Sequence, residues 1–293
     1  MDTEFGGCMQ FLKDGINGFL AKLGRALGRT PLDEIQRTLL RHQIACKWDT
    51  IDYLERGLPI AENELICPLC GHSNRLDATT RFESFCIFDG GRLIRFQCAG
   101  CELIFGPLKV LRLTPAQLTR EYEWHYMAFS EGDSTKAEMQ AFNALGPKKS
   151  GRYLNWGSGG WSMTLQNLRR EGFNVVGYEP HQSATKEGEG IITSRDELAS
   201  QRFDGIFSNN VLEHLRYPIE ELQLMASLLT AGGRMAHATP CYEYLYEYTR
   251  FHLFFYLGRS KKVLAEKVGL DLQEFVVDGE FMCGIFAPRP NAP

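Results

Sequence analysis

Of nine cysteines in the 293-residue chain, four stand in two pairs, Cys67-Pro-Leu-Cys70-Gly and, after 27 intervening residues, Cys98-Ala-Gly-Cys101. Each pair lets two thiolates reach one metal ion from a tight turn, and Gly71 suits the backbone of such a knuckle. Two knuckles supply a closed tetrahedral set of sulfur ligands, which selects zinc over magnesium or calcium and leaves no open position for chemistry. An iron–sulfur centre is the alternative use of four thiolates. A metal here would substitute for a core in a segment too small to build one. His72 and Cys86 lie nearby and read as bystanders.

A second group lies beyond residue 150. Arg152–Trp156 reads as a buried strand, followed at once by Gly157-Ser158-Gly159-Gly160 and a helical stretch from about Trp161 to Arg170. A strand turning through glycines into a helix brings backbone N–H groups against a ligand. The next strand, Asn174–Tyr178, ends in Glu179. That spacing lets a carboxylate accept hydrogen bonds from both ribose hydroxyls of a bound adenosine. Gly-x-Gly with a later acid also fits nicotinamide cofactors. Against them, Ser162 stands where the dinucleotide fingerprint wants glycine or alanine.

The segment Phe203-Asp204-Gly205-Ile206-Phe207-Ser208-Asn209-Asn210-Val211-Leu212-Glu213-His214-Leu215 reads as a strand entering a helix. Pro218, an amphipathic helix to about Leu229, Gly232-Gly233 and a strand Arg234–Thr239 follow. In this order the parts resemble the class I S-adenosylmethionine-dependent methyltransferases, over roughly residues 135–288. In place of that family's common third glycine stands Trp161. The run ends in a helix Lys261–Val268 and strands Leu272–Val277 and Phe281–Ala287 around Asp278-Gly279-Glu280, similar to the hairpin that closes the family's sheet. With the cysteine ribbon in front, the chain is similar to sugar C-methyltransferases and related enzymes of polysaccharide clusters. Those carry an active-site histidine in a Glu-His-Leu stretch, matched here by Phe251-His252-Leu253, with phenylalanine in place of glutamate.

The resemblance implies S-adenosylmethionine as cofactor, beside a structural Zn2+. It implies cofactor contacts from Asn155, Gly157, Gly159, Glu179, Thr193, Asn209 and Asn210. Methyl transfer needs an aligned nucleophile, excluded water and often a proton acceptor, a role that suits histidine. His214 follows the fourth strand at the ligand-binding edge of the sheet, and His252 matches the family's histidine. Each has a packing role as its alternative. Glu213 can equally be a surface helix charge. Tyr122, His125 and Tyr126 can close as a lid or simply pack. Tyr242, Tyr244, Tyr246 and Tyr248 alternate as a substrate wall would.

The elements that must position these groups are an α/β fold: a Rossmann-like, seven-stranded, mostly parallel sheet with an antiparallel C-terminal hairpin, behind a small zinc ribbon and a helical N-terminal segment. Boundaries are expected at 1–60 (helical), 61–107 (ribbon), 108–148 (helical connector or lid) and 149–293 (catalytic). In the first, Phe11, Leu12, Ile16, Phe19, Leu20, Leu23 and Leu27 share a helical stripe, Thr30-Pro31 starts a second helix, and Leu32, Ile35, Leu39 and Leu40 continue the apolar face. That stripe can pack on its own protein, form a homodimer, or touch a membrane surface.

With 44% hydrophobic residues the chain is a folded globular type, and its net charge of −4 gives no global pull toward nucleic acid or anionic lipid. Residues Cys67–Cys101 carry four Arg/Lys against three Asp/Glu, so the ribbon lacks a basic stripe. No apolar run reaches a membrane span, no signal peptide is apparent, and the cysteine usage implies a reducing, cytoplasmic setting. The expected activity is methyl transfer to a small-molecule, glycan or nucleotide-sugar acceptor. The alternatives are an RNA methyltransferase, and a non-catalytic cofactor-binding scaffold whose ribbon recruits a partner.

Overall fold

The computed structural model describes residues 31–56, 64–130, 132–160, 162–180 and 190–289. The expected stripe Phe11–Leu27, Thr30 and Trp161 lie outside them. Helix α1 (Pro31–Arg56) places Asp33 and Glu34 in its first turn and Arg56 in its last, each sign opposing the helix dipole at that end. Its packed face is Ile44 and Trp48, with Leu40 and Ile51 at the margin. Leu32, Ile35 and Leu39, expected on the apolar face, are instead exposed. The contact falls in the C-terminal half because Trp48 there donates to a buried carboxylate, Glu121.

The ribbon follows as β1 (Glu64–Ile66), β2 (Ser73–Arg75), β3 (Arg81–Phe85), β4 (Arg92–Gln97) and β5 (Ile104–Phe105). Its two knuckles share one backbone pattern. Gly71 N and Glu102 N donate to the carbonyls of Cys67 and Cys98, and Cys67 N and Cys98 N donate to His72 O and Leu103 O. The residue after the second cysteine of each pair is left-handed, Gly71 at φ +77° and Glu102 at φ +70°. Glycine takes that conformation freely; Glu102 takes it with its carboxylate held by Arg259 N and Nε.

The connector holds α2 (Leu108–Leu111), α3 (Pro115–Ala128) and α4 (Thr135–Ala144). Thr114 and Gln117 form a capping box at the start of α3. The remainder alternates: β6 (Arg152–Trp156), α5 (Met163–Arg170), β7 (Asn174–Tyr178), β8 (Ile191–Ile192), α6 (Arg195–Ala199), β9 (Phe203–Asn209), α7 (Pro218–Ser227), β10 (Leu229–Ala238), β11 (Phe254–Phe255), α8 (Ser260–Lys267), β12 (Leu270–Asp278) and β13 (Phe281–Pro288). Leu212–His214 makes one 3-10 turn where a helix was expected. β10 starts five residues before the expected Arg234, because Leu229 pairs with Phe203 before a register shift that Gly232, at φ +79°, accommodates.

Seven strands form one sheet in the order β12-β13-β10-β9-β6-β7-β8. Pairs β6–β7, β7–β8, β6–β9 and β9–β10 are parallel. β13 is antiparallel to both neighbours and is the one strand running against the rest. The chain winds outward from β6 to β8 and returns on the other side at β9, so the crevice outside the carboxyl ends of β6 and β9 is a topological switch point. This is the Rossmann-like α/β architecture that the sequence implies.

A second sheet, β11-β5-β4-β3, ties the two parts together. β11 comes from the insertion after β10, yet it pairs with ribbon strand β5, Phe254 with Phe105 and Phe255 with Ile104. One apolar core accordingly includes Cys67, Cys98, Cys101 and Phe105 together with Phe254, Tyr256, Ile206 and Met235. Among the described residues no helix is long and apolar enough to cross a membrane.

Candidate active site

Gly157 and Gly159 have φ of +74° and +68°, so both glycines occupy left-handed backbone. A Cβ on Gly157 would also come within 2.7 Å of Val211 Cγ2, while Gly159 faces open space. The turn is pinned to the next strand by hydrogen bonds from Gly157 N (2.8 Å) and Ser158 N (3.3 Å) to Tyr178 O. Ser162 then caps α5 by accepting from Leu165 N. Glu179, at the end of β7, turns its carboxylate onto the glycines, and Gly159 N donates to Oε2 at 3.2 Å. An acid and a glycine turn 20 residues apart thus converge at the switch point.

The other expected cofactor contacts distribute unevenly. Asn209 ends β9, and Asn210 follows in left-handed backbone (φ +52°) with its N–H donating to Ala238 O. Asparagine tolerates that conformation better than most residues. Both lie at the crevice. Thr193 follows β8, half-buried, and the next residue, Ser194, caps α6. Asn155 is 1% exposed and donates through Nδ2 to Glu138 Oε2 at 2.7 Å, which ties its amide to α4.

His214 and His252, 38 residues apart in sequence, meet edge to face with ring centroids 4.9 Å apart. His252 Nδ1–H donates to Tyr246 O at 2.9 Å, which leaves the Nε2 lone pair free. Cys241 Sγ lies 3.3 Å from the same Nδ1. His214 Nδ1 lies 3.2 Å from the Tyr122 hydroxyl, and Tyr122 stacks on Phe251 at 4.3 Å. Burial, with His125 adding to it, lowers the His214 pKa to about 4. Burial, then His214 and Arg95, take His252 well below the ordinary value. Both imidazoles are neutral at pH 7, each with one unprotonated ring nitrogen.

Glu213 is a correction. It is not a surface charge: it is 0% exposed. Burial raises its pKa to about 7. It stands with Cys241 and His252, one ligand-type atom of each lying within 4.8 Å of the others. The tyrosine wall is a second correction. Tyr242 is buried and donates to His237 O, Tyr244 packs on Phe82 and Phe255, and Tyr246 is partly exposed at φ +58°. The segment folds as a 3-10 turn and bends, so alternation along the sequence does not put these rings on one face. His125 packs between Phe88, Phe129 and Phe251, which is the packing alternative rather than a lid.

Sequence reasoning missed Arg95 and Cys241. An arginine in a short ribbon strand reads as solvent-facing, and a lone cysteine before a tyrosine run carries no signal. Both gain their place only through the β5–β11 pairing.

The four ribbon sulfurs gather as the spacing implies. Cys67 and Cys101 Sγ are 3.7 Å apart and Cys70 and Cys98 Sγ 3.6 Å, and all four ligand atoms lie within 4.8 Å of one another. A tetrahedron with zinc–sulfur bonds of about 2.3 Å has edges of roughly 3.8 Å, so the set fits a zinc ion.

A parallel sheet with a glycine turn and an acid at its switch point is an arrangement in which α/β proteins bind nucleotide cofactors. A family model described as a methyltransferase domain matches residues 126–274. The chain belongs to this methyltransferase-domain family. The match begins after the ribbon. No curated protein matches the chain. Similar solved structures include the 1,6-didemethyltoxoflavin-N1-methyltransferase of Burkholderia thailandensis with bound S-adenosylhomocysteine (14% identity, 66% of this chain, 94% of that one, TM-score 0.47). Others are the mitomycin 7-O-methyltransferase (11%, 62% and 60%, 0.43) and a TehB-like S-adenosylmethionine-dependent methyltransferase from Corynebacterium glutamicum (22%, 60% and 100%, 0.40). The chain spans about 60% of the length of the mitomycin enzyme.

Proposed function

We propose that the chain transfers a methyl group from S-adenosylmethionine to a small-molecule or glycan-linked acceptor. The observation that carries this reading is the convergence of Gly157, Gly159 and Glu179 at the switch point. Two left-handed glycines let the main chain approach a ligand closely, and a carboxylate such as that of Glu179 is the acceptor a pair of ribose hydroxyls requires. In this reading Asn209 and Asn210, at the carboxyl end of β9, would meet the amino-acid end of the cofactor, and Thr193 its adenine.

The cofactor supplies a methyl carbon already activated by the sulfonium. The protein's share is alignment, exclusion of water and acceptance of a proton. His252 suits the last role. Its Nδ1–H is committed to Tyr246 O, so Nε2 can take the proton that leaves an acceptor hydroxyl or amine as its lone pair attacks the methyl carbon. His214, packed against that ring and bonded to Tyr122, holds it from the other side. The four ribbon thiolates would hold a structural zinc ion with no position left for substrate.

The test is release of S-adenosylhomocysteine from S-adenosylmethionine when nucleotide-sugars and glycan extracts are offered as acceptors. Turnover that His252→Ala lowers by about 10²-fold or more supports the assignment of the base. Turnover that His252→Ala leaves unchanged removes it. Binding of cofactor without turnover on any acceptor class favours the scaffold reading.

A further inference from the structure

The groups that set His252 in place belong to the ribbon. Arg95 lies on β4, three residues before Cys98, and is 0% exposed. Its Nη1 donates to Glu247 O at 2.8 Å and its Nη2 to Thr249 O at 2.7 Å. Nε and Nη2 both donate to His252 O, at 3.2 and 3.1 Å. A weaker contact from Nη1 reaches Ser84 Oγ at 3.5 Å, and the guanidinium lies 5.0 Å over the Phe255 ring.

Among the described residues no carboxylate pairs with Arg95, since every strong partner is a carbonyl of the segment 247–252. An unpaired buried cation costs several kcal/mol unless oriented dipoles surround it. Here three carbonyls converge on one planar fork, a geometry that a flexible ammonium does not reproduce. The same segment is fastened by Gly106 N to Leu253 O at 3.0 Å and Ile87 N to Tyr248 O at 2.9 Å. Every one of these donors comes from residues 87–106, in or beside the ribbon.

We infer that Arg95 is a positioning residue for methyl transfer: from the ribbon it holds the 247–252 segment so that His252 keeps its Nδ1–H on Tyr246 O and presents Nε2. The inference rests on the reading of His252 as the proton acceptor. It makes the ribbon part of the active site's construction. The charged and titratable groups around His252 are His214, Arg95, Cys241 and Glu213.

The experiment compares full-length wild type, Arg95→Met and Arg95→Lys, each with the wild type's metal content and a cooperative melt. Hydrogen exchange in peptides covering 245–256 is expected to rise about tenfold or more in Arg95→Met, while peptides from β9 and β10 stay within about twofold. Arg95→Lys should fall between. Nitrogen-15 NMR of labelled histidines, with His252→Ala giving the assignment, should show a single Nδ1–H tautomer at His252 in wild type and a mixture in Arg95→Met. With the cation removed, His252 should also titrate at higher pH. Arg95→Lys keeps the charge and should leave the titration where it was.

Unchanged exchange at 245–256 together with an unchanged tautomer in Arg95→Met overturns the inference. A uniform rise of exchange across all peptides overturns it too, because that is general destabilisation. These readouts need no acceptor, so they fail or succeed separately from the turnover test of His252.

Discussion

Glu213, fully buried, and its half-buried neighbour His214 have opposite preferences for protons. Glu213 has its pKa raised to about 7 against an unfolded value near 4.5, because burial penalises the carboxylate by more than the Thr239 hydroxyl offsets. Its folded form holds the proton more tightly. The associated stability is present below pH 4.5 and lost as pH rises toward 7, on the order of 3 kcal/mol in all. The histidines act in reverse. His214 and His125 are lowered to about 4 and His237 to about 3, chiefly by burial. Their contribution is present above the unfolded value near 6.5 and is lost as pH falls toward 4. Glu213→Gln should therefore raise the melting temperature at pH 8 and change it little at pH 5, read by differential scanning calorimetry. Equal effects at the two pH values contradict the assignment. Gly157, Gly159, Glu179 and the four zinc-type cysteines were legible as residues because local backbone demands and ligand spacing are properties of short segments. Glu213, Arg95 and Cys241 were not, because their burial depends on strands that pair across about 150 residues.

Among the elements, α1, α3 and the insertion after β10 meet on a single carboxylate. Glu121, 1% exposed, accepts from Lys47 Nζ at 2.5 Å, Trp48 Nε1 at 3.0 Å and Arg250 Nε at 3.2 Å. Arg250 is 0% exposed, and its Nη2 has no hydrogen-bond partner. Removing the carboxylate strands a buried cation, which costs about 3–5 kcal/mol. Glu121→Ala is expected to lower the unfolding free energy by about that amount in urea titrations. A loss below about 1 kcal/mol, the range of an exposed ion pair, contradicts this picture. The sequence indicated a helix before the ribbon through Thr30-Pro31 and a helical connector after it. It indicated a face of α1 that the structure leaves largely exposed. Leu32, Ile35 and Leu39 match the helical period as well as Ile44 and Trp48 do, and hydrogen-bonding partners on α3 decide between them.

At the scale of the molecule, the ribbon and the parallel sheet share a core and a four-stranded sheet, β11-β5-β4-β3. A metal bound by the ribbon cysteines would stabilise both. Cys67→Ser should take zinc from one per chain toward zero by elemental analysis and lower a single calorimetric transition. An early separate transition, with the catalytic part melting as before, would show the ribbon to be an independent module. The alternation of strands and helices indicated a parallel sheet, and the family resemblance implied its seven strands and closing hairpin. The joining of the two parts was not readable, since its strand pairing rests on two residues, Phe254 and Phe255, whose apolar pattern also fits an ordinary core segment.

The central claim is that Gly157, Gly159 and Glu179 form the seat of an adenosyl cofactor. Calorimetric titration of S-adenosylhomocysteine into the wild type and into Glu179→Ala tests it most directly. A carboxylate hydrogen-bonded to ribose hydroxyls contributes about 1.5–3 kcal/mol. One site per chain is predicted, with affinity falling about 10- to 150-fold in the variant. No binding to the wild type, or equal affinity in both proteins, would contradict it.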